Sequence, residues 1–167
     1  MDLNVKFMKS AIAQAKKAEM AEEVPIGCVI VKDGKIIARA YNMRQTKRVA
    51  TAHAEILAIE KACKKIKDWR LDGMEMFVTL EPCAMCAGAI ANSRIKKVWF
   101  GAYEKKGGGV VSKFNILTES GLNHVTEFEG GLLEDECSSI IKNFFKARRK
   151  PCKEQSNPEE THEKRQA

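Results

Sequence analysis

The chain has 167 residues, 44% of them hydrophobic and 31% charged, a balance that supports one globular domain with its own core. No apolar run approaches the ~20 residues needed to span a bilayer, and the opening residues lack the basic-then-apolar layout of a signal peptide, so a cytoplasmic protein with no membrane partner is expected. The net charge is +7, and the final 17 residues hold three basic and four acidic groups, which leaves +8 on residues 1–150. That surplus fits a polyanionic partner such as nucleic acid, or serves solubility alone.

Val5, Met8, Ile12 and Ala15 recur at helical spacing and predict an amphipathic helix over roughly residues 4–22, stopped by Pro25. Two apolar runs, 27–31 and 36–41, flank Asp33-Gly34, the pattern of an antiparallel hairpin. A second helix is expected from Thr51, as N-cap, to Ile66, with Ile56, Ile59, Cys63 and Ile66 on one face. Residues 75–80 read as a strand, Cys83 to Asn92 as a short helix with Pro82 in its N1 slot, and 97–101 as a further strand, together a parallel crossover. Lys105-Lys106-Gly107-Gly108-Gly109 opens a poorly periodic segment. No Gly-Lys-Ser/Thr follows the glycines, so they are not a P-loop, and a mobile loop is expected. Residues 124–128 look like a fifth strand. Leu133, Cys137, Ile140, Ile141 and Phe144 form the stripe of a last helix whose acidic start and basic end complement its dipole. The Pro-, Glu- and Gln-rich residues 151–167 cannot offset their ordering entropy by burial and are expected to be disordered.

Six cysteines could pair as disulfides, yet Cys83-Ala84-Met85-Cys86 has metal-ligand or redox spacing, while Cys28 and Cys137 sit in apolar stretches as small hydrophobes. Three residues apart on a helix, the two sulfurs of Cys83 and Cys86 share a face, and a helix N-terminus favours thiolates. Alone, this pair fits a redox couple, a structural zinc or coincidence. His53-Ala54-Glu55 adds one imidazole and one spare carboxylate, and one His with two Cys is the ligand set of a catalytic zinc whose fourth position is kept for water. Glu55, two residues from His53, does not share its face in mid-helix, so His53 belongs at a helix start with Glu55 beside the metal but not on it.

His-x-Glu with Pro-Cys-x-x-Cys is the signature of zinc nucleobase deaminases, and from residue 5 to residue 150 the chain resembles the bacterial tRNA-specific adenosine deaminases. The likeness rests on Glu23-Val24-Pro25-Ile26-Gly27, Tyr41-Asn42, Thr51-Ala52-His53-Ala54-Glu55, residues 78–90, Ser93-Arg94-Ile95, Phe100-Gly101-Ala102, Asn123-His124 and Phe144-Phe145-Lys146-Ala147-Arg148-Arg149. It implies a three-layer α/β/α cytidine deaminase-like fold, with a central five-stranded mixed sheet flanked by helices, in a domain over residues 1–150. It also implies one Zn2+ per subunit on His53, Cys83 and Cys86, a homodimer, and a tRNA anticodon stem-loop as partner. The expected reaction is hydrolytic deamination of wobble adenosine to inosine in a tRNA-Arg type loop. Glu55 would take a proton from the zinc-activated water, pass it to purine N1 and deliver a second to the departing amino group. Asn42, Ala84, Glu104, Lys106, Asn123, Phe145, Arg148 and Arg149 fall on substrate-binding positions, with Phe144 expected in the core. Glu104 stands where aspartate is usual, Val111 where glycine is common, and Val49-Ala50 where Asp-Pro is. A free-base or free-nucleoside deaminase would use the same zinc and glutamate, whereas a zinc-stabilised RNA-binding module would leave Glu55 without a task.

Overall fold

In the computed structural model, which describes residues 2–119 and 121–149, a five-stranded sheet of order β2-β1-β3-β4-β5 divides two layers of helix. The elements run α1 (Leu3–Met20), β1 (Gly27–Lys32), β2 (Lys35–Tyr41), α2 (Arg44–Lys47), α3 (Ala54–Ile66), β3 (Glu75–Leu80), α4 (Ala84–Asn92), β4 (Lys97–Ala102), β5 (Glu127–Gly130) and α5 (Glu134–Arg148). A single 3-10 turn, Ile116–Thr118, precedes β5. Lys150 and the residues from Pro151 onward, including Cys152 and the stretch expected to be disordered, lie outside the described residues.

The hairpin turns through Asp33 at φ 48° and Gly34 at φ 73°, the pair of positive φ angles that a two-residue turn requires to match strand twist. β1 is antiparallel to both β2 and β3, whereas β3–β4 and β4–β5 are parallel. The sheet is therefore mixed, and β3, α4 and β4 make the expected parallel crossover. Alternation along β1 splits the core in two. Cys28 and Ile30 point to the face covered by α3 and α4, with Leu57, Ala58, Ala62, Ala87 and Ile90. Val29 and Val31 point to the face covered by α1 and α5, with Phe7, Met8, Ile12, Phe77 and Cys137. Both core cysteines are fully buried, as their apolar settings suggested.

Three boundaries differ from the sequence reading. Helix α3 starts at Ala54 rather than after Thr51, because His53 is itself the N-cap, in extended backbone at φ −75° and ψ 153°. Its buried face is Ala54, Leu57, Ala58 and Ala62, rotated from the isoleucine stripe, so Ile59 and Ile66 lie only at the edge of the core. Helix α4 starts at Ala84, because Cys83 is extended and bridged to Gly108, which leaves Pro82 outside the helix. Strand β5 begins at Glu127, not at 124, since His124 and Thr126 each bond the Ile95 carbonyl oxygen through their side chains at 2.8 Å. The short α2 carries no apolar stripe, and hydrophobic periodicity gave no sign of it.

Candidate active site

Strands β2, β3 and β4 all run opposite to β1, so their C-terminal ends reach the same edge of the sheet. From that edge emerge Asn42 after β2, residues 81–83 after β3 and Glu104 after β4. The carboxyl edge of parallel strands is where open α/β sheets bind ligands, and here it also receives the N-termini of α3 and α4.

His53 caps α3 with no side-chain bond to its own helix, and its Nδ1 lies 3.5 Å from Cys86 Sγ and 3.7 Å from Cys83 Sγ. The three ligand atoms lie within 4.8 Å of one another, and this is the group of three or more metal-competent side chains found among the described residues. Cys83 caps α4 and Cys86 sits in its first turn, so the positive ends of two helix dipoles face the sulfurs. Cys83 is held at about 4, first by the hydrogen bond it accepts from the Cys86 thiol and then by His53, and that same bond with burial keeps Cys86 protonated far into the alkaline range. One soft imidazole nitrogen and two sulfurs at metal-closing distance fit a tetrahedral ion with one position left open.

Glu55, in the first turn of α3, is 3% exposed, and its Oε2 has no hydrogen-bond partner. Burial pushes its carboxyl up from 4.5 to about 7, against the pull of its backbone hydrogen bond and of His53. A carboxyl poised near neutrality and short of one partner is equipped to accept and return protons. Asn42 is 3% exposed; its Nδ2 donates to the Val24 carbonyl oxygen at 3.4 Å, while its buried Oδ1 is unpartnered. Because a buried polar atom without a partner costs about 1–3 kcal/mol, an acceptor left open this way suits a donor brought by a ligand. Met43 N–H bonds the Ala52 carbonyl oxygen at 3.0 Å, so Asn42 and the His53 turn are locked side by side.

The remaining expected substrate residues divide into three places. Ala84, half-buried, adjoins Cys83, and the loop over it carries half-buried Glu104 and exposed Lys106. Asn123 is exposed on the wall of a separate cleft of about 450 Å³, with Gly88, Arg94, Leu122 and His124. Phe145, Arg148 and Arg149 end α5, in the opposite helical layer. Phe144 is buried and Phe145 46% exposed, the division expected from the sequence; their rings meet edge to face at 5.3 Å, and Arg148 lies 3.6 Å over Phe144.

The sequence reading missed two features. Glu23, 1% exposed, accepts the Thr46 backbone N–H at 2.6 Å and its hydroxyl at 3.0 Å, and so ties α2 to the segment before β1. The 104–112 segment is anchored, not free. Gly108 bridges Cys83, Gly109 N–H donates to the Pro82 carbonyl oxygen at 2.7 Å, and the Glu81 carboxylate accepts backbone N–H groups from both ends of the segment. The glycines themselves were the available signal: a Cβ on Gly109 would lie 2.6 Å from the Cys83 carbonyl carbon, a close approach that composition alone reads as flexibility.

The MafB19-like deaminase family model matches residues 3–149. A tRNA-specific adenosine deaminase of Bacillus subtilis is 51% identical over 86% of this chain and 89% of its own length. A structure solved in a study of A-to-I editing by tRNA:A34 deaminases at the wobble position of transfer RNA superposes with a TM-score of 0.79 at 41% identity, covering 81% of this chain and 98% of that one. A guanine deaminase from Nitrosomonas europaea superposes at a TM-score of 0.73 but only 23% identity, covering 84% of this chain and 83% of that one, a likeness of fold. With its His53, Cys83 and Cys86 cluster and a relative half identical over most of its length, the chain belongs to the tRNA-specific adenosine deaminase family.

Proposed function

We propose that this protein converts adenosine to inosine at the wobble position of a tRNA-Arg type anticodon loop, as a cytoplasmic homodimer with one zinc per subunit. The observation that carries the reading is Glu55: a buried carboxyl with an unpartnered oxygen, two residues from the imidazole of a His-Cys-Cys cluster, in a chain of this family. His53, Cys83 and Cys86 are the residues that hold the zinc, which when bound polarises water and brings its pKa toward neutrality.

The protein's own groups do the rest. Glu55 takes a proton from the water and passes it to N1 of the adenine, drawing electron density from C6 as the water oxygen adds there. It then takes the proton of the new C6 hydroxyl and delivers it to the exocyclic nitrogen, the C6–N6 bond breaks as the C6 carbonyl forms, and ammonia leaves. Water is consumed, inosine and ammonia are formed, and Glu55 ends as it began. The open Oδ1 of Asn42 accepts a hydrogen bond from the purine edge and orients the ring. Ala84, Glu104 and Lys106 border the entering nucleotide, Asn123 meets the loop further along, and Phe145, Arg148 and Arg149 stack on and neutralise the anticodon strand. Among the described residues no helix is long and apolar enough to cross a membrane.

Sequencing a matching tRNA after incubation with the purified protein tests the proposal, because inosine reads as guanosine. Rapid turnover of free guanine, cytosine or a nucleoside with no change in the tRNA would transfer the assignment to a small-molecule deaminase.

A further inference from the structure

One carboxylate gathers the two ends of the loop beside the metal cluster. Glu81, between β3 and Cys83, is 2% exposed. Its Oε1 accepts the backbone N–H groups of Val111 at 2.8 Å, Ser112 at 2.9 Å and Val110 at 3.3 Å. Its Oε2 accepts the Glu104 N–H at 3.0 Å and the Ser112 hydroxyl. No cation pairs with it among the described residues; the charge is met by oriented amides, the arrangement otherwise used to cradle an anion. Gly108 is confined against the same carboxylate, since a Cβ there would stand 2.5 Å from its atoms, and Gly108 in turn bridges Cys83. Val111 meets this clamp through its backbone, with its side chain facing out, so a residue larger than glycine is accommodated there.

We propose that Glu81 is a positioning residue, whose carboxylate fixes the 104–112 loop on the Cys83 backbone and thereby sets the approach of the RNA to the metal site. This rests on the reading of the protein as a tRNA deaminase. Glu81 itself touches no reacting atom. It acts through Glu104 and Lys106, which the loop holds at the site's rim.

Glu81→Gln tests the clamp with almost no change in shape. The amide oxygen can keep the three bonds at the Oε1 position and Ser112 can turn its hydroxyl to accept, but the amide nitrogen then faces the Glu104 N–H, donor to donor. The damage is thus aimed at the start of the loop. The expected result is a KM for an anticodon stem-loop raised about ten-fold or more, the scale for one buried donor losing its acceptor, with kcat within about three-fold of wild type. Zinc content should be unchanged, and tryptic cleavage after Lys105 and Lys106, followed site by site by mass spectrometry, should quicken. Ser112→Ala, which removes one donor and leaves Glu81 in place, should move KM and cleavage the same way by a smaller factor. If both variants keep KM and loop cleavage within about two-fold of wild type, the proposal is overturned. It is equally overturned if Glu81→Gln fails to fold or loses zinc while Ser112→Ala matches wild type, since Glu81 then supports the core rather than the loop. A wild-type protein that made no inosine would sink the functional reading and leave the cleavage comparison to judge the clamp alone.

Discussion

The substitution Gly109→Ala, set beside Gly107→Ala, isolates the contact between the loop and the Cys83 turn. A Cβ on Gly109 would lie 2.6 Å from the Cys83 carbonyl carbon and 2.7 Å from Cys83 O and Ala84 N, all backbone atoms that no rotamer change can clear. Restoring ordinary contact requires a separation of about 0.8 Å, close to the displacement that costs a positioned catalytic site up to about 100-fold. If the loop retreats, the 2.7 Å Gly109–Pro82 hydrogen bond and the Cys83–Gly108 bridge are stretched. If the Cys83 turn yields, its sulfur leaves the cluster. Overpacking of this kind costs about 1–3 kcal/mol, or roughly 2–10 °C in Tm for a chain of this size. Gly107 has nothing within 4 Å of its Cβ position, so its alanine variant should match wild type. Thermal melts with and without zinc, together with single-turnover inosine formation, measure both effects; kcat/KM for Gly109→Ala should fall about 10- to 100-fold. Two alanine variants that behave alike would refute the reasoning, because the contact would then carry no constraint.

Three further outcomes follow from the same geometry. In the metal-free protein the Glu55 carboxyl lies at about 7 against an ordinary 4.5. A group raised on folding contributes fully below its unfolded value and loses that contribution as the pH climbs through the folded one. The advantage of metal-free Glu55→Gln over metal-free wild type in urea unfolding should therefore grow by about 3 kcal/mol between pH 4.5 and pH 8.5; a pH-independent difference would show that Glu55 is solvated. Phe144→Ala should cost about 3–5 kcal/mol of stability, as for a buried aromatic. Phe145→Ala should leave the melt nearly unmoved while weakening stem-loop binding about 5- to 150-fold by filter binding, the loss of one base stack; equal effects of the two on stability would contradict their division of labour. Glu81→Gln should separate KM from kcat as set out above.

The elements legible from sequence were those with strong local signals. The Asp33-Gly34 turn, the apolar run of β1 and the β3–α4–β4 crossover are dictated by residues a few positions apart. The metal cluster was legible for a different reason: imidazole and thiolate are scarce ligand types, and their spacing restricts what they can share. What was not legible depends on atoms distant in sequence. Glu81 meets residues 23 to 31 positions away through backbone N–H groups, which leave no mark on side-chain pattern. The start of α3 was misplaced because His53 takes the N-cap position with its side chain turned to the thiols, so Thr51, a better N-cap by type, is passed over. The start of β5 was misplaced because His124 and Thr126 spend their side chains on the Ile95 carbonyl oxygen.

The central claim is that Glu55 moves the protons of adenosine deamination at a site built by His53, Cys83 and Cys86. Its most direct measurement is the inosine content at the wobble position of a matching tRNA after incubation with zinc-loaded wild type or zinc-loaded Glu55→Gln, each at one measured zinc per chain. The account predicts complete conversion by wild type and none detectable by the variant with its zinc retained. Full conversion by Glu55→Gln would contradict it.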